Sequence, residues 1–241
     1  MPEITAETND GYQQSPLKPN WNDAHDNVGF GSPSTTAATY NFAIGATFAA
    51  PRSSFFIRRA FFEFDTSGIS VTPSAATLKL HVGSATYDNS SLIVVKSGHD
   101  PSNTSTTWYS TWLTGLGGSL AGWSNSDSQV VAYSSHIAAG MGAGYADFTL
   151  NSDALSDMAS LSSFKVVVMN YTNDYLDNSS STEGFTGISF ANDGSLTRPK
   201  IDYTAGAASG YGHAVIGISS GDISTVKGIA TADIDNVIDV S

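Results

Sequence analysis

The sequence predicts an all-β fold, a jelly-roll β-sandwich with an N-terminal arm and a short C-terminal tail used for oligomerisation or docking. Three observations lead there. Between Arg58 and Thr204, short segments with a two-residue apolar period alternate with clusters of Gly, Ser, Asn and Pro. Within that span only one stretch carries a helical pattern and a capping residue. Beyond it, an 11-residue unit rich in Ile and Val is repeated, a regularity the sandwich region lacks.

Residues 1–50 are richer in Pro, Asn and Gly and are expected to supply an arm and a strand near Thr39 to Phe48. The sandwich is expected to occupy 51–204. In RRAFFEFDT, Ala60, Phe62 and Phe64 share one face, and Phe61, Glu63 and Asp65 share the other. ATLKLHV turns Leu78, Leu80 and Val82 inward, and SLIVVKS is apolar on both faces from Leu92 to Val95, as a strand between two layers should be. YADFTLN follows with Ala146, Phe148 and Leu150 in phase, then FKVVVMNY from Phe164, GISFAND around Ile188 and Phe190, and PKIDYT ending at Thr204. SDALSDMASL is the predicted helical turn, capped by Ser152 or Asp153.

A Gly/Ala linker over 205–214 leads into the tail, 215–241. Aligning IGISSGDISTV with KGIATADIDNV matches Gly217 with Gly228, Ile218 with Ile229, Asp222 with Asp233, Ile223 with Ile234 and Val226 with Val237. β-Branched residues at the apolar sites and a Gly in each unit argue against long helices. Short strands at Val215 to Ile218 and Lys227 to Ile229, alternating with turns that begin at Asp222 and Asp233, are expected instead. Two units are too few for a free-standing solenoid. Ile216, Ile218, Ile223, Val226, Ile229, Ile234, Val237 and Val240 are therefore the predicted oligomerisation or docking residues, and a homotrimer is the expected assembly.

Composition narrows the partners. Lys and Arg number 10 against 22 Asp and Glu, and a net charge of −12 repels phosphate backbones and anionic lipid heads, so neither nucleic acid nor a membrane is expected. The opening MPEITAETNDGYQQS has neither the basic start nor the apolar stretch of a secretory signal. Yet a charged fraction of 13% is below the roughly 25% of ordinary soluble domains and suits a protein exposed to the environment. Without cysteine there is no disulfide framework and no thiolate metal site.

Candidate sites have competing readings. Trp108 and Trp112, with Tyr109 between them, form a flat platform for a sugar ring if the segment is extended. The alternative, that both tryptophans seal the end of the core, is favoured because buried aromatics are the norm. Asp174, Asp177 and Glu183 lie in one polar loop and offer hard oxygens to calcium, although a solvated loop explains them as well and no other cofactor is expected. One of Arg58 and Arg59 is expected to pair with a carboxylate at the sandwich edge, the favoured reading, or both to meet an acidic polymer. His25, His81, His99, His136 and His213 follow no metal spacing, and no catalytic motif occurs, so an enzyme is not expected.

From Arg58, RRAFFEFDTSGISVTPSAATLKLHV resembles the opening of the carbohydrate-binding-type modules known as DNRLRE domains. There an Arg-bearing strand ending in Phe-Asp leads to a "SATLKL" strand. A Val-rich strand at Leu92 to Val95, the Trp108 to Trp112 segment and the closing RPKIDYT follow in the same order, although the hexapeptide that names the family is absent. The resemblance implies a jelly roll. The tail is similar to the "VNGVAxANIxKVNGV" endings of phage structural proteins, which implies a virion location, at the capsid surface or tail. Together these give the expected function: a non-enzymatic bacteriophage structural protein, a capsid decoration or fibre subunit, partnered by itself and other virion proteins and weakly by host-surface glycans. A secreted or surface-attached bacterial polysaccharide-binding module, extracellular, is the alternative, and a polysaccharide depolymerase the third.

Overall fold

In the computed structural model the described residues are 1–26, 30–34, 44–49, 54–83, 90–102, 108–179, 184–191, 197–207, 225–226 and 229–230. Chain order is β1 (Glu3–Thr5), β2 (Gly11–Gln14), α1 (Trp21–His25), β3 (Phe30–Ser34), β4 (Ile44–Ala49), β5 (Ser54–Asp65), β6 (Ala75–Val82) and β7 (Leu92–Lys96). There follow α2 (Trp108–Thr114), β8 (Gly144–Thr149), α3 (Ser152–Ser160), β9 (Ser163–Asn170), a π-helical turn (Tyr171–Tyr175), β10 (Gly184–Thr186), β11 (Lys200–Thr204), β12 (Thr225–Val226) and β13 (Ile229–Ala230). The fold is an all-β sandwich of two antiparallel sheets. One is four-stranded in the order β1-β11-β6-β8; the other is seven-stranded and curled about β5.

The curl follows from the register of β5. Its first half pairs with β4, Gly45 opposite Arg58 through Ala49 opposite Ser54, and its second half with β9, Ala60 opposite Val168 through Asp65 opposite Ser163. β2 pairs across the junction, Gln14 opposite Arg58 through Gly11 opposite Phe61. A strand has only two edges, so β4 and β9 share one of them in succession and β2 takes the other.

Period-two alternation then divides the side chains between two cores. Ala60, Phe62 and Phe64 join Leu78, Leu80, Val82, Ala146, Phe148, Val166 and Val168 between the sheets, as the sequence pattern predicts. Phe61, Ile93, Val95, Val167 and Met169 point the other way, into a second cluster roofed by Trp108, Trp112, Leu113 and Trp123. Each fully buried side chain of this size stabilises the fold by roughly 1.5–3 kcal/mol, so the outer layer matters as much as the inner one. Double-sided burial also explains Leu92 to Val95. β7 pairs with β9 on one edge, and its other edge bonds the 131–137 segment through Tyr133 N–H to Val94 O (2.8 Å) and Leu92 N–H to Ile137 O (2.9 Å).

Four expectations can be set against the described residues. The N-terminal residues are built into the body: β1 extends the small sheet beside β11, and β2 lies inside the large one. The strand placed at Thr39 to Phe48 is described from Ile44 to Ala49, its first part lying outside the described residues. The predicted helix is α3, but its cap is Asn151, whose Oδ1 accepts from Ala154 N–H at 3.1 Å. In the tail, the strand placed at Lys227 to Ile229 is described from Ile229 and pairs antiparallel with β12, Val226 opposite Ile229. The strand expected at Val215 to Ile218 and the turns at Asp222 and Asp233 lie outside the described residues.

Asp10, between β1 and β2, fastens the N-terminal segment to the body. Its Oδ2 accepts from Ala191 N–H at 2.7 Å, while the buried Oδ1 has no partner among the described residues. Burial pushes its carboxyl up to about 7, against the lowering effects of the Ala191 amide and the Arg198 charge. Between the unfolded value of 3.8 and about 7 the folded state holds a proton that the unfolded state has released, so this residue's contribution to stability declines as pH rises through that window. Asp10→Asn should remove the decline. Urea unfolding from pH 4 to 8 should show the wild type losing stability relative to the variant by about 2–4 kcal/mol, and parallel curves would refute this assignment.

Candidate functional site

The outer face of the large sheet centres on Arg59, with 0% exposure. Its strand position follows from the alternation that sends Ala60 inward and Arg59 toward the second layer. Arg59 Nε donates to Asp174 Oδ2 at 2.8 Å and Nη2 to Oδ1 at 2.7 Å, a two-point contact that matches the planar guanidinium. The guanidinium carbon lies 5.3 Å from the ring centre of Trp112 and 5.2 Å from that of Trp123, so two indole faces meet the cation. Nη2 also reaches the carbonyl oxygen of His25 at 3.3 Å.

His25 extends the cluster. Its ring stacks on Trp123 at 4.3 Å between centres, with Nδ1 2.8 Å from Asp26 Oδ1 and Nε2 2.9 Å from the carbonyl oxygen of Asp174. Trp21 Nε1 donates to Asp177 Oδ1 at 2.8 Å, and Gly122 N–H donates to Asp26 Oδ2 at 2.8 Å. The π-helical turn that presents Asp174 is held by Asn170, whose Oδ1 accepts from Asn173 N–H at 2.6 Å. A wider helical turn aims Asp174 down at the sheet while Tyr171 and Tyr175 stay half-buried above it.

This arrangement revises the predicted sites. Trp108 and Trp112 lie on α2, a helix rather than an extended segment, and both indoles are 0% exposed. The core-sealing reading of the pair is the one observed, and the sugar platform drawn there is withdrawn. The side chain of Tyr109 lies outside the described residues. Asp174 is committed to Arg59, Asp177 Oδ1 accepts from Trp21, and Glu183 lies outside the described residues. Among the described residues no group of three or more His, Asp and Glu is placed to hold a metal. Of the tail residues, Val226 and Ile229 are cross-strand partners, while Ile216, Ile218, Ile223, Ile234, Val237 and Val240 lie outside the described residues.

Sequence reasoning expected one of Arg58 and Arg59 to pair with a carboxylate but identified neither the arginine nor the acid, because the partner is 115 residues away. It also missed two open clefts that meet at Ser162 and Ser163 near the start of β9. The first, of about 430 Å³, carries Lys96, Lys165, Ser97, Leu116 and Leu161. The second, of about 320 Å³, carries Glu7, Asn9, Glu63 and Asp65. Glu63 and Lys165 are cross-strand partners at the boundary between them. Lys96 donates to Asp157 at 2.7 Å, and the Tyr133 hydroxyl donates to the same carboxylate; burial first and that bond second push the phenol's ionisation upward.

Behind the first cleft, Ser97 Oγ lies 2.8 Å from His99 Nδ1, the separation of a nucleophile and its base. His99 is 0% exposed, and burial, followed by the charge of Lys165, pushes it down to about 3. A general base works best near the ambient pH, and this ring stays neutral far above its own value. The His99 ring packs against Phe61 and Trp108 at 5.3 and 5.4 Å between ring centres.

Arg59→Met should lower stability by about 3–5 kcal/mol, because it strands a buried carboxylate. Arg59→Met with Asp174→Leu should recover a large part of that loss in denaturant unfolding. A double variant as unstable as the sum of its parts would contradict the pairing. No protein-family model matches the chain, and no curated protein sequence matches it either.

Proposed function

We propose that the chain is a non-enzymatic structural protein of a bacteriophage particle, a capsid decoration or fibre subunit, whose sandwich is displayed and whose tail joins copies into a trimer. One observation carries the assembly part. Among the described residues the exposed large hydrophobics are only Met1, Leu17, Val71, Tyr145 and Leu161. The tail, in contrast, presents Ile or Val at 216, 218, 223, 226, 229, 234, 237 and 240. Among the described residues the body offers no apolar surface matched to so many side chains, and further copies of the same repeat do.

The phage assignment rests on the likeness of the tail to virion protein endings, and the non-enzymatic reading on the buried, neutral His99 and the structural use of Arg59, Asp174 and His25. Weak contact with host glycans falls to the aromatic row outside the Arg59 cluster. There His136 stacks on Tyr171 at 3.8 Å, and Tyr171 on Tyr175 at 5.8 Å. Many copies on one particle would raise such contacts to a useful avidity.

Mass measurement in solution tests the assembly. The full chain should be an oligomer and a chain ending at Thr204 a monomer. Ile223→Asp with Ile234→Asp should also dissociate it, since burying unpaired charges costs roughly 2–5 kcal/mol per subunit. A full chain that is monomeric at every concentration would rule out self-assembly.

A further inference from the structure

We propose that the lysine-bearing cleft beside Ser162 and Ser163 receives the acidic end of a neighbouring copy's tail, residues 231–241, with Lys165 and Lys96 meeting its aspartates. This rests on the tail-mediated assembly proposed above and names where the tail lands.

Charge is the first ground. Only 10 residues of the chain are Lys or Arg, yet Lys96 and Lys165 line this one cleft. Lys96 already has Asp157 at 2.7 Å, and no carboxylate forms a comparable ion pair with Lys165 among the described residues. The segment TADIDNVIDVS carries Asp233, Asp235 and Asp239 and no basic residue, so it is the most acidic stretch of the repeat and complements the cleft.

Surface chemistry and location are the second and third grounds. Leu161 is 40% exposed at the rim and Leu116 lies on the wall, so the cleft offers aliphatic contact to the Ile and Val that alternate with those aspartates. The tail leaves the sandwich against the loop that joins β5 to β6, whose first residue contacts the cleft wall. Thr66 N–H donates to Ser162 O at 3.1 Å, and the Thr66 hydroxyl to Leu161 O, which ties the loop after β5 to the cleft wall. Further along that loop Ser74 N–H donates to Thr204 O at 3.0 Å. Gly206 lies so close to Thr72 that a Cβ would be 2.0 Å from its carbonyl oxygen. One loop therefore joins the cleft wall to the exit of the tail, so both lie at the same end of the sandwich.

The test is a charge exchange in the full chain, read as the oligomer's dissociation constant by sedimentation. Lys165→Glu should weaken assembly at least about tenfold, equivalent to the loss of one close ion pair. Lys165→Gln should weaken it less. Adding Asp233→Lys and Asp235→Lys to Lys165→Glu should restore most of the loss. The glutamine variant guards against misfolding of the reversal, which sets a second acid opposite Glu63, and far-ultraviolet circular dichroism checks each fold. Assembly that is indifferent to position 165, or a reversal that the tail changes do not rescue, overturns the landing site and leaves tail-mediated assembly standing. A wild-type chain that never assembles overturns both.

Discussion

The two-point contact between Arg59 and Asp174, closed between two indole faces, is the constraint on which the outer half of the molecule depends. An isolated ion in that position would cost several kcal/mol, and the attraction within a buried pair roughly offsets this, so its net contribution to stability is small. Its effect is on arrangement. The guanidinium accepts its partner in one geometry, which fixes the π-helical turn over the sheet, and His25 and Trp123 then fix α1 and the loop around residue 122. A purely apolar layer of tryptophans would slide more easily, because hydrophobic contact has no direction.

That second layer explains why the large sheet curls without exposing its convex face. β5 must serve two neighbours on one edge, and the bend turns Phe61, Val95, Val167 and Met169 outward as a continuous apolar surface. Trp108, Trp112 and Trp123 cover it. Once both faces are covered, the described body leaves few large apolar side chains exposed. The completeness of the described sandwich is what supports the proposal that other copies cover the tail.

The alternation in RRAFFEFDT and ATLKLHV made the inner core legible residue by residue, since one face of each strand met one environment. The Trp108 segment was legible only as buried, because two aromatics spaced by four fit a helix and an interrupted strand equally well. The place of β2 within the large sheet had no local signal: GYQQ is polar, and its pairing with β5 is a long-range fact. The same holds for the partner of Arg59 and for the clefts, whose residues come from segments far apart in the chain. In the tail, only the pairing of Val226 with Ile229 falls among the described residues.

Amide hydrogen exchange of the full chain, followed across a dilution series, addresses the tail most directly. On the proposal that other copies cover the tail, protection over residues 215–241 should fall on dilution while that of β5 and β9 stays constant. A tail equally protected at every concentration, in a particle with the mass of one chain, would contradict the account.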